Sequence, residues 1–321
     1  MKIILFLHFL ICFSNILDEV RKNVVDNALA YLPKREMLNF LNMALEMFKV
    51  KEKYLMSEAE SVYFAYKWIA QNIEIDCRTD KQGEIITEGY ITYREGKGEE
   101  IGILGLFNTI CGLLNIESNL IHGLLKYRTR NLTQLIDTKE YVWNSVLIDN
   151  NYYLIDIIKG IGYCNRNSFI RTQDRNDLYF GIIPEESIRW RFPNDNKWQL
   201  LPKPVTIEEF KTFALLDHGF FKLFKTITPD VQTLKKRNNL RIKLTFDKPF
   251  GSITEDDVIV FSDELSKDYL PLLHFINEMW IKNGTFEFTC YPSSGYLDIS
   301  LYINSTSYPI ATYEVYNKIE K

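Results

Sequence analysis

The sequence predicts an α+β fold, with helices packed on an antiparallel sheet and a small β-sandwich after them. Two textures predict it. Apolar residues recur at helical spacing through much of the first half, interrupted by the hairpin signal Asp149-Asn150-Asn151. From about Leu240 the pattern changes to short alternating stretches. Bulk agrees. The chain has 321 residues, 46% hydrophobic and 14% aromatic, enough core for one large domain or two smaller ones.

The elements follow in order. Lys2, the apolar run Ile3 to Phe13 broken only by His8, and small residues at Cys12 and Ser14 read as a signal peptide over 1–14. That reading predicts a secreted or endomembrane-lumen protein; the alternative is the first helix of a cytoplasmic one. The run is shorter than the ~20 residues of a membrane helix, and no later stretch is long and apolar enough, so no integral membrane span is expected. Residues 19–56 read as helical, with Leu38, Leu41, Leu45 and Phe48 recurring at helical spacing and Pro33 starting a second helix. Ser57 and Glu60 form a capping box that opens a helix to about Asn72. Gly96-Lys97-Gly98 is a loop and not a phosphate cradle, because the Gly-Lys-Ser/Thr ending is missing.

A helix is predicted from Glu100 to Leu114, and strands over 141–148 and 152–157 flank the hairpin turn. Thr206 caps a helix near Ile207 to Leu215. Strands are predicted over 241–246, 257–261, 285–291, 297–303 and 311–316, with a helical insert near Leu270 to Trp280. The expected division is 15–236 for the first domain and 237–321 for the sandwich.

Charge and composition exclude several classes. The net charge of −4 with 25% charged residues implies neither a disordered tail nor a nucleic-acid binder. The basic run Lys235-Lys236-Arg237, with Arg241 and Lys243, reads as a solvated face. Of five cysteines, Cys12 would leave with the leader. Cys77, Cys111, Cys164 and Cys290 remain at wide spacing, which argues against a zinc ribbon and leaves disulfide pairing open. The four histidines are scattered without an HxxxH, so no metal or other cofactor is expected. Asn131, Asn283 and Asn304 are N-x-S/T sites in an Asn-rich chain, where such sites arise by chance.

Four blocks within residues 61–210 carry a family resemblance. Residues 61–76, SVYFAYKWIAQNIEID, resemble a helix written WIxxNIxYD. Residues 96–126, GKGEEIGILGLFNTICGLLNIESNLIHGLLK, resemble a nucleophile loop and helix, GxxxCxGxAxLFxxLCxxxGI. Residues 141–162, YVWNSVLIDNNYYLIDIIKGIG, resemble HAWNxVxIDGxWYLIDxTWGxG. Residues 178–210, LYFGIIPEESIRWRFPNDNKWQLLPKPVTIEEF, resemble YFxxxPExFIxxHxPxxxxWQLL…xxEF. In this order and spacing they are similar to the transglutaminase-like superfamily, of the kyphoscoliosis-peptidase type. The resemblance implies a transglutaminase-like (papain-like) domain followed by a sandwich, and acyl transfer through a Cys-His-Asp triad.

Carried over residue by residue, the family's cysteine falls on Glu100, in a register fixed by Gly102 and Leu106-Phe107. Its histidine falls on Tyr141, because Trp143-Asn144 follow. Its aspartate is kept as Asp156. An unperturbed tyrosine ionises near pH ~10 and is a poor base at neutral pH. A carboxylate at a helix N-terminus is stabilised in its charged, weakly nucleophilic form. Losing nucleophile and base together leaves little beyond substrate binding. The expectation is therefore a catalytically inactive scaffold that binds a protein or peptide partner. Two alternatives are a hydrolase using the Glu100 and Asp156 carboxylates, and an active cysteine peptidase if the register is wrong. Asp156 is expected to survive for structure, bonded to Tyr141 or capping a backbone group. Trp143, Trp190 and Trp198 are expected to be framework.

Overall fold

A computed structural model describes residues 16–78, 88–129, 136–172, 177–235, 240–247, 258–264, 272–274, 278–282, 285–290, 295–303 and 306–316. The leader expected over 1–14 and the sites at Asn131, Asn283 and Asn304 lie outside these residues. The chain divides into two compact units, residues 1–121 with 142–183, and 122–141 with 184–321.

The first unit begins with a 3₁₀ turn and helix α1, Lys22–Tyr31. Helix α2, Phe40–Lys53, starts at Asn39, whose side chain accepts from the Asn42 N–H. Pro33 thus follows one helix and does not open the next. The covered face of α2 is not the row of Leu41 and Leu45. Met43, Ala44, Met47 and Val50 are buried, whereas Leu41 and Leu45 are 74% and 52% exposed. The helix has apolar residues on two faces, and periodicity alone cannot say which one the neighbours cover.

Helix α3, Glu58–Asn72, carries the predicted capping box: the Glu60 N–H donates to Ser57 Oγ and the Ser57 N–H to Glu60 Oε2. Strand β1 (Glu74–Ile75), α4 (Gly89–Glu95) and β2 (Lys97–Gly98) lead to α5, Glu100–Leu113. Helix α5 ends where Asn115 takes φ +60 and the Ile116 N–H reaches back to Cys111 O, a left-handed stop that buries Ile116.

Strand β3 is Ser118–Arg128 and β4 is Ile136–Ile148. Asp149 and Asn150, both with positive φ, turn the chain into β5, Asn151–Ile155, so Asn151 pairs with Ile148 as the first residue of that strand. Helix α6 (Ile157–Ile161), strands β6 (Gly162–Asn165) and β7 (Ser168–Arg171), and β8 (Phe180–Ile182) complete this part. Strand β5 is antiparallel to both β4 and β8. Residues from α1 to α6 share one core with Val146, Ile148, Ile155 and Phe180 of these strands, which is the predicted arrangement of helices on an antiparallel sheet.

The second unit holds α7 (Pro184–Trp190), β9 (Arg191–Pro193), α8 (Ile207–Thr212), β10 (Leu215–Leu216), α9 (His218–Leu223), β11 (Phe224–Thr228) and β12 (Thr233–Lys235). Strands β13 (Leu240–Phe246), β14 (Val258–Glu264), β15 (Leu272–His274), β16 (Glu278–Lys282), β17 (Thr285–Cys290), β18 (Gly295–Ile303) and β19 (Thr306–Tyr316) follow. One sheet runs β10–β19–β18–β14–β15, with β12 also on β19; the other runs β11–β13–β17–β16. Ile242, Phe286 and Phe288 from one sheet share a core with Leu297, Ile299 and Tyr313 from the other, which makes a sandwich.

Strands β10 to β12 join these sheets, so the sandwich recruits residues before 237. The helix expected over 207–215 stops at Thr212, because Leu215 and Leu216 pair with β19. The helical insert expected near Leu270 to Trp280 is replaced by β15 and β16. Strand β16 covers the edge of β17, with Met279 opposite Phe288 and Ile281 opposite Phe286. Short apolar runs do not distinguish helix from strand, and an open edge selects the strand.

Candidate functional site

Glu100 is the first residue of α5 and is half-buried. Glu99 precedes it as N-cap without a side-chain capping bond, and its carbonyl accepts from the Gly102 and Ile103 N–H groups. The positive end of the helix favours the charge on Glu100. Behind it Ile103, Leu104, Leu106 and Phe107 anchor α5 in the core.

Asp156 follows β5 and is fully buried. The strand expected to run to 157 stops one residue before Asp156, because this residue caps α6. Its Oδ1 accepts from the Lys159 N–H at 3.0 Å, and its own N–H donates to Tyr179 O at 2.9 Å. The expectation that it caps a backbone group is met. Tyr66 lies nearby and is also fully buried. Burial, and next the charge of Asp156, push its phenol well above the usual range. A Cβ on Gly160 would meet Tyr66 Oη at 1.7 Å, so α6 needs glycine where it crosses that ring. Glu100 and Asp156 thus fall in the first unit, and α5 and α6 pack together there. Tyr141 falls in the second unit, on β4, buried, with Lys139 Nζ 6.0 Å from its ring centre.

Trp143 is buried, and Asn144 donates to Asn108 Oδ1 at 2.7 Å, tying β4 to α5. Trp190 packs with Ile136, Leu215 and Tyr296 and donates from Nε1 to Leu216 O at 2.8 Å. Both serve as framework. Trp198 is half-buried under the Lys197 ammonium, 5.0 Å from its ring centre.

The cysteines supply what sequence reasoning left open. Cys77 and Cys164 form a disulfide. Cys111 is free and fully buried, and burial pushes its thiol far above the usual range. These are the described cysteines of the first unit; Cys290 ends β17 in the second. No histidine occurs among the described residues of the first unit, since His122, His218 and His274 belong to the second. The disulfide had no signal in the spacing; only proximity of β1 and β6 reveals it.

Comparison with known proteins shows what the chain is similar to. The chain is 26% identical over 160 residues to kyphoscoliosis peptidase of Mus musculus, covering 48% of this chain and 24% of the relative, and equally to that of Homo sapiens. It is 26% identical over 129 residues to the LIM and transglutaminase domain protein ltd-1 of Caenorhabditis elegans, covering 36% of this chain and 18% of the relative. The chain therefore spans about a quarter or less of the length of these curated relatives. A solved structure described as a TGase aligns over 54% of this chain and 40% of its own at 12% identity, with a TM-score of 0.28, too low to argue from. No protein-family model matches the chain. The ordered blocks within 61–210, the helices on an antiparallel sheet and these relatives identify the chain as a transglutaminase-like, kyphoscoliosis-peptidase-like protein.

Proposed function

We propose that the chain is a catalytically inactive member of this group that acts as a protein-binding module. The observation that carries the reading is the state of the thiols. An acyl-transfer centre needs a reactive thiolate and a base to shuttle its proton. In the first unit Cys77 and Cys164 are joined to each other, and Cys111 is buried and held in its protonated form. Glu100 stands at the start of α5, where a helix end lowers the nucleophilicity of a carboxylate by stabilising its charge. The buried Asp156 supports the same reading, because its carboxylate holds the start of α6. That commitment also weighs against a paired-carboxylate hydrolase. The retained scaffold leaves binding of protein or peptide segments as its role. The disulfide favours a secreted or lumenal location, since such bonds persist in oxidising compartments.

Wild type, Glu100→Cys, Tyr141→His and the double substitution, assayed for acyl-enzyme formation with a reactive ester, test the proposal. Wild type stays at background and gain appears only in the double variant, because nucleophile and base act as a unit. Robust wild-type turnover abolished by Glu100→Gln would hand the case to the carboxylate hydrolase. Turnover abolished by alkylating a cysteine would restore the cysteine peptidase.

A further inference from the structure

We infer that the Cys77–Cys164 disulfide is a redox-sensitive latch that sets backbone order at the start of α5. The bond joins the segment that leads to Glu100 with the segment that follows Asp156. Cys77 lies two residues past β1, and β1 pairs in parallel with β2. The Glu74 N–H donates to Gly96 O at 3.0 Å and the Asp76 N–H to Gly98 O at 2.9 Å. Gly98 ends β2 two residues before Glu100, the first residue of α5. Cys164 lies on β6, which begins where α6, the helix capped by Asp156, ends. Strand β1 also packs against β6 and β7.

The two ends of the bond are held unequally. Among the described residues β1 and β2 pair only with each other, over two residues each. A pair that short is marginal without further support. The first turn of α5 lacks the side-chain capping bond that Ser57 gives α3. Strand β7, the partner of β6, is anchored without the disulfide. Phe169 packs on the core, and Arg171 Nη1 donates to Ala70 O and Ile73 O at the end of α3. Opening the bond therefore leaves the β6–β7 hairpin in place and loosens β1, β2 and the start of α5. Access comes from one side. Cys164 is exposed and Cys77 buried, and exposed disulfides are the labile ones. A small monothiol such as glutathione attacks as its thiolate at the Cys164 sulfur. The S–S bond breaks, a mixed disulfide forms, and Cys77 leaves as a thiolate that takes a proton from water. A second thiol resolves the mixed disulfide, so two electrons reduce the pair and the reductant departs as its own disulfide. The latch concerns backbone order and stands whether or not the triad positions are inert.

The test places the full chain in buffers of reduced and oxidised glutathione, traps free thiols by alkylation and locates them by peptide mapping. In the folded protein Cys77 and Cys164 both become alkylated under reduced glutathione, and excess oxidised glutathione restores the bond. Hydrogen–deuterium exchange then compares the two states. Reduction speeds exchange about tenfold or more at Asp76, Gly102 and Ile103, whose N–H groups donate to Gly98 O and Glu99 O. Exchange within α3, and at Thr172, whose N–H donates to Ile161 O, stays unchanged. The Cys77→Ser/Cys164→Ser variant shows the reduced pattern without glutathione; if it does not fold, the reversible comparison in wild type decides. Three results overturn the proposal: a bond that glutathione reduces only in urea, unchanged exchange at Asp76, Gly102 and Ile103 on reduction, and exchange raised equally through α3, which makes the bond a staple of the whole unit. A folded variant with the oxidised pattern overturns it as well.

Discussion

At Glu60 one carboxylate fastens two segments. It closes the capping box at the start of α3 and accepts from Arg21 Nη2 at 2.8 Å. The Arg21 guanidinium holds its carboxyl well below the usual range, at about 2, from an ordinary 4.5. A depressed carboxylate stabilises the fold fully above its unfolded pKa and loses that contribution as pH falls through its folded one. Stability from Glu60 should therefore be intact above pH ~4.5 and gone near pH ~2. Glu60→Gln should lower stability at neutral pH by ~1–2 kcal/mol, limited because Arg21 is more than half exposed. Urea titrations from pH 5 to 2 check this; a gap between wild type and variant that stays constant across that range would be wrong for it. Ser57→Ala should cost ~1 kcal/mol through loss of the cap. Both residues were legible in the sequence, because a capping box is local chemistry.

Elements were legible where local signals decide them. The α3 and α5 helices and the β4–β5 hairpin come from capping, apolar spacing and turn residues, and the structure has all of them. What failed needed a neighbour to decide. The stop of β5 at the capping Asp156 and the strand character of β15 and β16 depend on which surface or edge stands opposite. The Cys77–Cys164 link belongs to this class, since it joins residues 87 positions apart, the first just after β1 and the second on β6. Replacing both cysteines by serine should lower stability by ~2–4 kcal/mol, read from urea unfolding without reductant. An unchanged midpoint would show that the bond does not form in the folded protein. Gly160→Ala should destabilise the α6 contact with Tyr66 by more than the ~1 kcal/mol typical of point substitutions.

For the whole molecule, a buried lysine sets a pH dependence. Lys126 Nζ donates to Phe213 O at 3.0 Å and lies 4.7 Å from the Phe210 ring centre. Burial, aided by Arg189 and opposed by Glu314 and Asp230, pulls its ammonium down to about 7 from 10.5. Between these values the unfolded chain binds more protons than the folded one, so stability rises with pH through this window. Lys126→Met should flatten the rise measured from pH 7 to 9.5; an identical slope in wild type and variant would contradict it. If the leader is a signal, secreted protein should begin near Asn15, and N-terminal sequencing reads this directly. The central claim is the absence of a reactive thiolate among the described residues of the first unit. The most direct measurement is peptide-mapped mass spectrometry of the folded, unreduced protein after exposure to an electrophilic amide-substrate analogue. No adduct is expected at Cys77, Cys111 or Cys164. A stoichiometric adduct at one of them, formed together with loss of amide hydrolysis, would contradict it.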